Sequence, residues 1–158
     1  MNWQQVCEHP SLKDMPFRIE LNEIGQIIMS PVSILHSLYS SKIGNLLAFF
    51  LKKGETLSEC AIRTRKGTKV ADVAWVSSER LNVIRREFDA SVAPEICVEV
   101  LSESNTDKEM LTKRKLYFET GALEVWMCDQ SGNMKFYNKI KQLKKSELVP
   151  DFPKKIEV

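Results

Sequence analysis

The chain is predicted to fold as an α+β (α/β) domain in which a central mixed β-sheet is flanked by helices and preceded by a β-hairpin. Three observations lead there. Short, partly β-branched runs recur between turn signals, longer stretches carry apolar residues at helical spacing, and acidic residues stand inside two of the most apolar runs. The order is hairpin, helix, three strands, helix, strands, which suits a layered mixed-sheet domain and contains no internal repeat.

The first fifteen residues are largely polar and contain His9-Pro10, so they are expected to form a leader or a short helix outside the core. Phe17 to Leu21 and Gln26 to Met29 flank the turn signature Asn22-Glu-Ile-Gly25, which predicts the hairpin. From Pro31, apolar residues at Ile34, Leu35, Leu38, Ile43, Leu46, Leu47 and Phe50 repeat at helical spacing, and Gly54 marks the stop. Leu57 to Thr64, Lys69 to Val76 and Glu95 to Leu101 follow as consecutive strands joined by charged or Gly-containing connections. Thr106 and Glu109 have capping-box spacing, opening a helix that runs to Thr120 and closes at Gly121. Leu123 to Cys128 is a further strand, Gln130 to Asn133 a turn, and Met134 to Tyr137 the hairpin partner. The Lys-rich remainder with Pro150 and Pro153 is expected to be a short strand or a tail.

The chain's 158 residues, 43% of them hydrophobic, fit one domain over 1–158 with its core at about 17–138. A net charge of +2 does not by itself argue for nucleic acid. Basic residues nevertheless cluster at Arg63, Arg65, Lys66 and Lys69, at Arg85-Arg86, and at Lys139 to Lys145. Cys7, Cys60, Cys97 and Cys128 lack Cys-x-x-Cys spacing, and three of them fall in strand-like runs, so they are read as reduced thiols in a cytoplasmic protein. No basic-then-apolar signal opens the chain, and the longest apolar run, Leu46 to Leu51, is too short for a membrane span. Two histidines, four scattered cysteines and the lack of a Gly-x-Ser-x-Gly elbow argue against a zinc or nucleophilic hydrolase.

Asp72 and Glu99 are the residues out of place. A carboxylate taken from water costs several kcal/mol, so it persists where a metal or a partner charge compensates it. Strand alternation puts Val70, Asp72, Ala74 and Val76 on one face, and Cys97, Glu99 and Leu101 on one face of the next strand. Pairing of these strands would bring Asp72 and Glu99 together as oxygen ligands for magnesium, which takes one or two carboxylates and keeps several waters. A nearby ammonium completes the parts of a phosphodiesterase. Helical periodicity offers both Lys113 and Arg114 for it and does not choose.

The run from Pro94 to Asn105, followed by Glu109 to Tyr117 and Gly121 to Trp126, resembles the Uma-type restriction endonucleases of the PD-(D/E)xK nuclease superfamily. The likeness extends back through Val70 to Trp75 and Glu20 to Gly25 with His36, covering about Phe17 to Tyr137. It implies a restriction-endonuclease-like fold and a metal-dependent endonuclease acting on DNA, with magnesium or manganese as cofactor. By the same resemblance Asp72 and Glu99 are the metal-binding acids and Lys113 the catalytic lysine. Glu20 is an accessory acid and His36 a direct or water-mediated contact, the alternative for His36 being an ordinary surface or core histidine. Trp126 is expected in the core, Glu124 beside a helix cation or at a strand edge, and Tyr117 in packing with its hydroxyl toward the site. Arg63, Arg65, Lys66, Lys69, Arg85 and Arg86 are candidate DNA contacts, and cutting both strands implies a homodimer. Three positions depart from the family pattern: Ala71 replaces the proline before the first acid, Leu101 stands where the superfamily lysine falls, and Ser102-Glu-Ser104 replaces Ser-Pro-Ser. The rival reading is a non-catalytic DNA-binding or assembly protein that keeps the fold, with Asp72, Glu99 and Lys113 as a structural ion-pair cluster.

Overall fold

The computed structural model describes residues 1–158. Helix α1 (Trp3–Glu8) is a short element closed by a capping box, in which Asn2 accepts from the Gln5 N–H and the Gln5 side chain accepts from the Asn2 N–H. Strands β1 (Phe17–Leu21) and β2 (Ile27–Pro31) pair as the expected antiparallel hairpin and form a two-stranded sheet of their own. Helix α2 (Ile34–Phe50) starts at Ser33, whose hydroxyl accepts from the His36 N–H, and buries Tyr39, Ile43 and Leu47 one turn apart.

The main sheet has six strands in chain order: β3 (Glu55–Thr64), β4 (Gly67–Val76), β5 (Ile96–Val100), β6 (Glu124–Cys128), β7 (Met134–Tyr137) and β8 (Gln142–Leu143). All neighbours are antiparallel except β5 and β6, which are parallel and joined by helix α4 (Asp107–Glu119). Parallel pairing requires such a crossover, and the Thr106 hydroxyl caps α4 by accepting from the Glu109 N–H. Helix α3 (Ser78–Ile84) lies in what was expected to be a charged connection. Ser77 caps it by accepting from the Arg80 N–H, and its seven residues are too few for a periodic apolar stripe.

Two apolar clusters sandwich the sheet. One gathers Ile43 and Leu47 of α2 against Val98, Trp126 and Phe136, and the other gathers Ile84 of α3 and Met110 and Phe118 of α4 against Cys97, Val125 and Met127. The Lys-rich C-terminal stretch is no free tail. Val149, Phe152 and Ile156 enter the first cluster, and the Ile156 N–H donates to the Gly132 carbonyl at 2.8 Å. Buried Glu124 fastens the stretch without any cation: it accepts from the Trp126 indole, the Ser146 hydroxyl and the Glu147 and Leu148 N–H groups at 2.6–2.9 Å. The packed core therefore continues well past residue 138.

The expected single face for Val70, Asp72, Ala74 and Val76 is corrected. Ala71, Ala74 and Val76 pack in one cluster and Val73 in the other, so alternation in β4 slips by one residue at Asp72. Directly across, Glu59 of β3 has φ +49°, the left-handed region that most residues avoid, and the same slip separates Leu57 from Cys60. Strands β4 and β5 pair only over Val73–Trp75 and Ile96–Val98. Beyond that they part, and the Asp72 carboxylate takes the Val100 N–H at 2.7 Å.

Candidate active site

The opening between β4 and β5 is where the charges gather. Asp72 and Glu99 are each 2% exposed and Lys113 3%, and the hairpin lays Arg18 and Glu20 of β1 over them. Lys113 Nζ, reaching in from α4, lies 2.8 Å from Glu20 Oε1 and 3.0 Å from both oxygens of Glu99, and donates to the Val70 carbonyl at 3.3 Å. Tyr117, one turn further along α4, donates to Glu99 Oε1 at 2.6 Å. Glu20 also accepts from the Val70 N–H at 2.7 Å. The Arg18 guanidinium bonds Asp72 Oδ1 and lies 3.5 Å from Glu20 and 3.7 Å from Glu99. His36, on the first turn of α2, places Nε2 at 3.2 Å from Asp72 Oδ2.

Burial and these neighbours set the protonation states. Burial alone would raise the Glu20 pKa, yet Lys113 and Arg18 together with the bonds from Lys113 and the Val70 N–H bring it below 4.5. Burial, with Arg18 next, pushes His36 below 6.5, so it is the neutral imidazole that meets Asp72. Burial and the negative charges of Glu99 and Glu20 hold the Tyr117 phenol far above its ordinary range, so it stays a donor. Three acidic side chains, Asp72, Glu99 and Glu20, face two basic ones, Arg18 and Lys113. Within this cluster the acidic side chains outnumber the basic ones by one.

That imbalance, hard oxygen donors and a cation already standing between Asp72 and Glu99 fit a divalent ion. Among the side chains, no group of three or more His, Cys, Asp or Glu is arranged as a metal cage. Asp72 and Glu99, which both lie within 4 Å of Arg18, are a pair of carboxylates that could hold such an ion, a number that suits magnesium keeping its waters.

The site opens on a cleft of about 500 Å³ between the hairpin and the N-terminal half of α4. Of the predicted DNA contacts, Lys66 and Lys69 line it, joined by Lys108. Arg63 instead pairs with Asp89 at 2.9 Å and Arg65 with Glu119 at 2.7 Å, while Arg85 and Arg86 follow the end of α3 and do not line the cleft. Lys113 enters the site whereas Arg114 stacks over the Tyr137 ring at 3.8 Å, which resolves the choice that periodicity left open. Arg18 was missed. Its signal was present, because Arg18 and Glu20 are two apart on a strand and so share a face.

No curated protein matches the chain. Among solved structures, it is similar to a putative nuclease belonging to DUF820 from Anabaena variabilis ATCC 29413, with a TM-score of 0.72 at 17% identity over 90% of this chain and 83% of that one. At that identity the likeness speaks for the fold. A family model described as "Uma2: Putative restriction endonuclease" matches residues 3–150, so the chain, with its split sheet and buried acids, belongs to the Uma2 family.

Proposed function

We propose that the protein is a metal-dependent endonuclease that hydrolyses phosphodiester bonds in DNA, with magnesium or manganese held by Asp72 and Glu99. The observation that carries this is the make-up of the cluster, buried Asp72 and Glu99 with half-buried Glu20 against Arg18 and Lys113, at the floor of a cleft lined by lysines. When bound, the ion supplies an acidified water and screens charge developing on phosphorus. The chain's own residues do the rest. Lys113 is held by Glu20, Glu99 and the Val70 carbonyl with its ammonium at the cleft floor, where its charge stabilises an anionic transition state. Tyr117 fixes the rotamer of Glu99, and His36 together with the Val100 N–H fixes that of Asp72. Lys66, Lys69 and Lys108 receive backbone phosphates, giving salt-sensitive and largely sequence-tolerant binding. Cleavage of both strands calls for two copies related by a two-fold axis. No helix is long and apolar enough to cross a membrane, and the free, buried Cys60, Cys97 and Cys128 suit a reducing cytoplasm.

Thermal unfolding with and without manganese tests the reading. An ion that binds only the folded chain raises its stability by RT ln(1 + [L]/Kd), about 2.7 kcal/mol at one hundred times Kd. Glu99→Gln is expected to abolish the rise and, with supercoiled DNA as substrate, the nicking. One observation favours a second reading, a non-catalytic DNA-binding or assembly protein: Arg18 gives each carboxylate of the cluster a cation within 4 Å. That reading requires a manganese-independent midpoint and intact DNA.

A further inference from the structure

We propose that Arg18 is a resident counter-cation, displaced by the divalent ion from between Asp72 and Glu99 and released into the cleft as a phosphate receptor. The inference rests on the metal-dependent reading above. The oxygens of Asp72 are not equivalent: Oδ2 is engaged by the Val100 N–H at 2.7 Å and by His36 Nε2 at 3.2 Å, whereas Oδ1 meets only Arg18. Asp72 and Glu99 would hold an ion between them most readily through the Asp72 oxygen that Arg18 now engages.

Of the two cations, Arg18 is built to leave. Lys113 is 3% exposed and has three close partners, Glu20, Glu99 and the Val70 carbonyl. Arg18 has one close partner; its distances to Glu20 and Glu99 are 3.5 and 3.7 Å, and its Nε is buried with no hydrogen-bond partner at all. A buried N–H without a protein partner is destabilising, and a phosphate oxygen would supply that partner once the side chain moved. Arg18 also rides on the hairpin, which shares no β-ladder with the main sheet, and it lines the same cleft as Lys66 and Lys69. Like charges a few ångströms apart in a partly buried pocket repel strongly, so guanidinium and ion do not share the pocket. Ion loading thereby places a fifth basic group beside Lys66, Lys69, Lys108 and Lys113 where a phosphodiester would lie, and its planar fork suits two phosphate oxygens at once.

Two measurements on the folded chain test this, neither using turnover. In manganese titrations by calorimetry, Arg18→Gln is expected to bind at least about tenfold more tightly than wild type, and Arg18→Lys, which keeps the charge, to stay within about threefold of it. In wild type, an arginine-selective dicarbonyl reagent followed by peptide mass spectrometry is expected to label Arg18 several-fold faster at saturating manganese than without it. This second measurement needs no variant to fold. Manganese that binds wild type while leaving the Arg18 labelling rate unchanged overturns displacement alone. Equal affinities for wild type and Arg18→Gln do the same. Manganese that binds none of the three chains overturns the metal reading underneath.

Discussion

Replacing Lys113 by methionine removes a buried ammonium while nearly keeping its volume. In the folded chain that ammonium meets both oxygens of Glu99 at 3.0 Å and Glu20 at 2.8 Å, so its loss leaves three carboxylates facing Arg18 alone. Removing one partner of a buried ion pair costs about 3–5 kcal/mol, because the surviving charge is neither solvated nor compensated. For a chain of this length, about 2–4 °C per kcal/mol gives a fall in midpoint of about 6–20 °C. The loss depends on pH with a definite sign. The Glu20 pKa is depressed below 4.5 in the folded protein, so its contribution is present above pH 4.5 and disappears as pH falls through the folded value. Lys113 is the leading charge behind that depression, and the gap between wild type and variant should narrow on going from about pH 7 to about pH 4. Urea unfolding at the two pH values measures it, and the double variant Glu99→Gln with Lys113→Met should recover about half of the loss as coupling energy. A single-variant cost under about 1 kcal/mol near pH 7, or a gap that widens in acid, would refute the electrostatic account.

Three further outcomes follow from other parts of the fold. Glu124→Gln turns one acceptor oxygen into a donor facing other donors, so a loss of about 2–4 kcal/mol is expected, with faster amide exchange at residues 147–149. Gly67→Ala would set a Cβ 2.3 Å from the Leu21 carbonyl oxygen at φ +86°, so it should cost more than about 1 kcal/mol in urea and, by shifting β1, weaken the manganese-dependent rise. Lys66→Ala or Lys69→Ala should each lower the salt dependence of duplex binding by about 0.9 in log–log slope, while Arg85→Ala and Arg86→Ala leave it unchanged; equal effects from the two pairs would dismiss the cleft as the DNA seat.

What the sequence revealed and what it hid divide along the range of the contacts involved. Glu99 was legible because its neighbours Ile96, Cys97, Val98 and Val100 are all apolar, which is how a strand buried on both faces reads, and every residue of β5 is indeed buried. The hairpin, α2 and α4 were legible through turn residues and periodicity, all of them local signals. Asp72 was found, but its neighbours were put on the wrong faces, because one residue of slip opposite Glu59 is a backbone event that side-chain alternation does not encode. Lys113 and Arg114 were inseparable on the helix alone; the Tyr137 ring that takes up Arg114 comes from β7, a distant part of the chain. Arg18 joins the site only because the hairpin docks on β4. The C-terminal stretch was hidden by its lysines, although Val149, Phe152 and Ile156 at spacings of three and four carried the pattern of a segment with one buried side.

The split between β4 and β5 gives Asp72 two duties, and one substitution separates them. Its Oδ2 accepts the Val100 N–H that a continuous ladder would have paired, so the carboxylate keeps a buried backbone donor satisfied where the sheet opens. Its charge, with those of Glu99 and Glu20, makes the cluster a seat for a cation. Asp72→Ala removes both, leaving the Val100 N–H and Arg18 without their partner, and should cost about 2–4 kcal/mol whether or not the site binds metal. Asp72→Asn retains an oxygen for Val100 while bringing two carboxylates level with two cations. Without metal, its midpoint should fall less than that of Asp72→Ala, because Val100 keeps its acceptor and the excess of acids is gone, although the new amide no longer accepts from Arg18. With manganese, the stabilisation seen in wild type should vanish, and DNA nicking with it. An asparagine variant that still gained stability from manganese would show that Asp72 serves the sheet alone, and the ion would then have to be sought on Glu99 and Glu20.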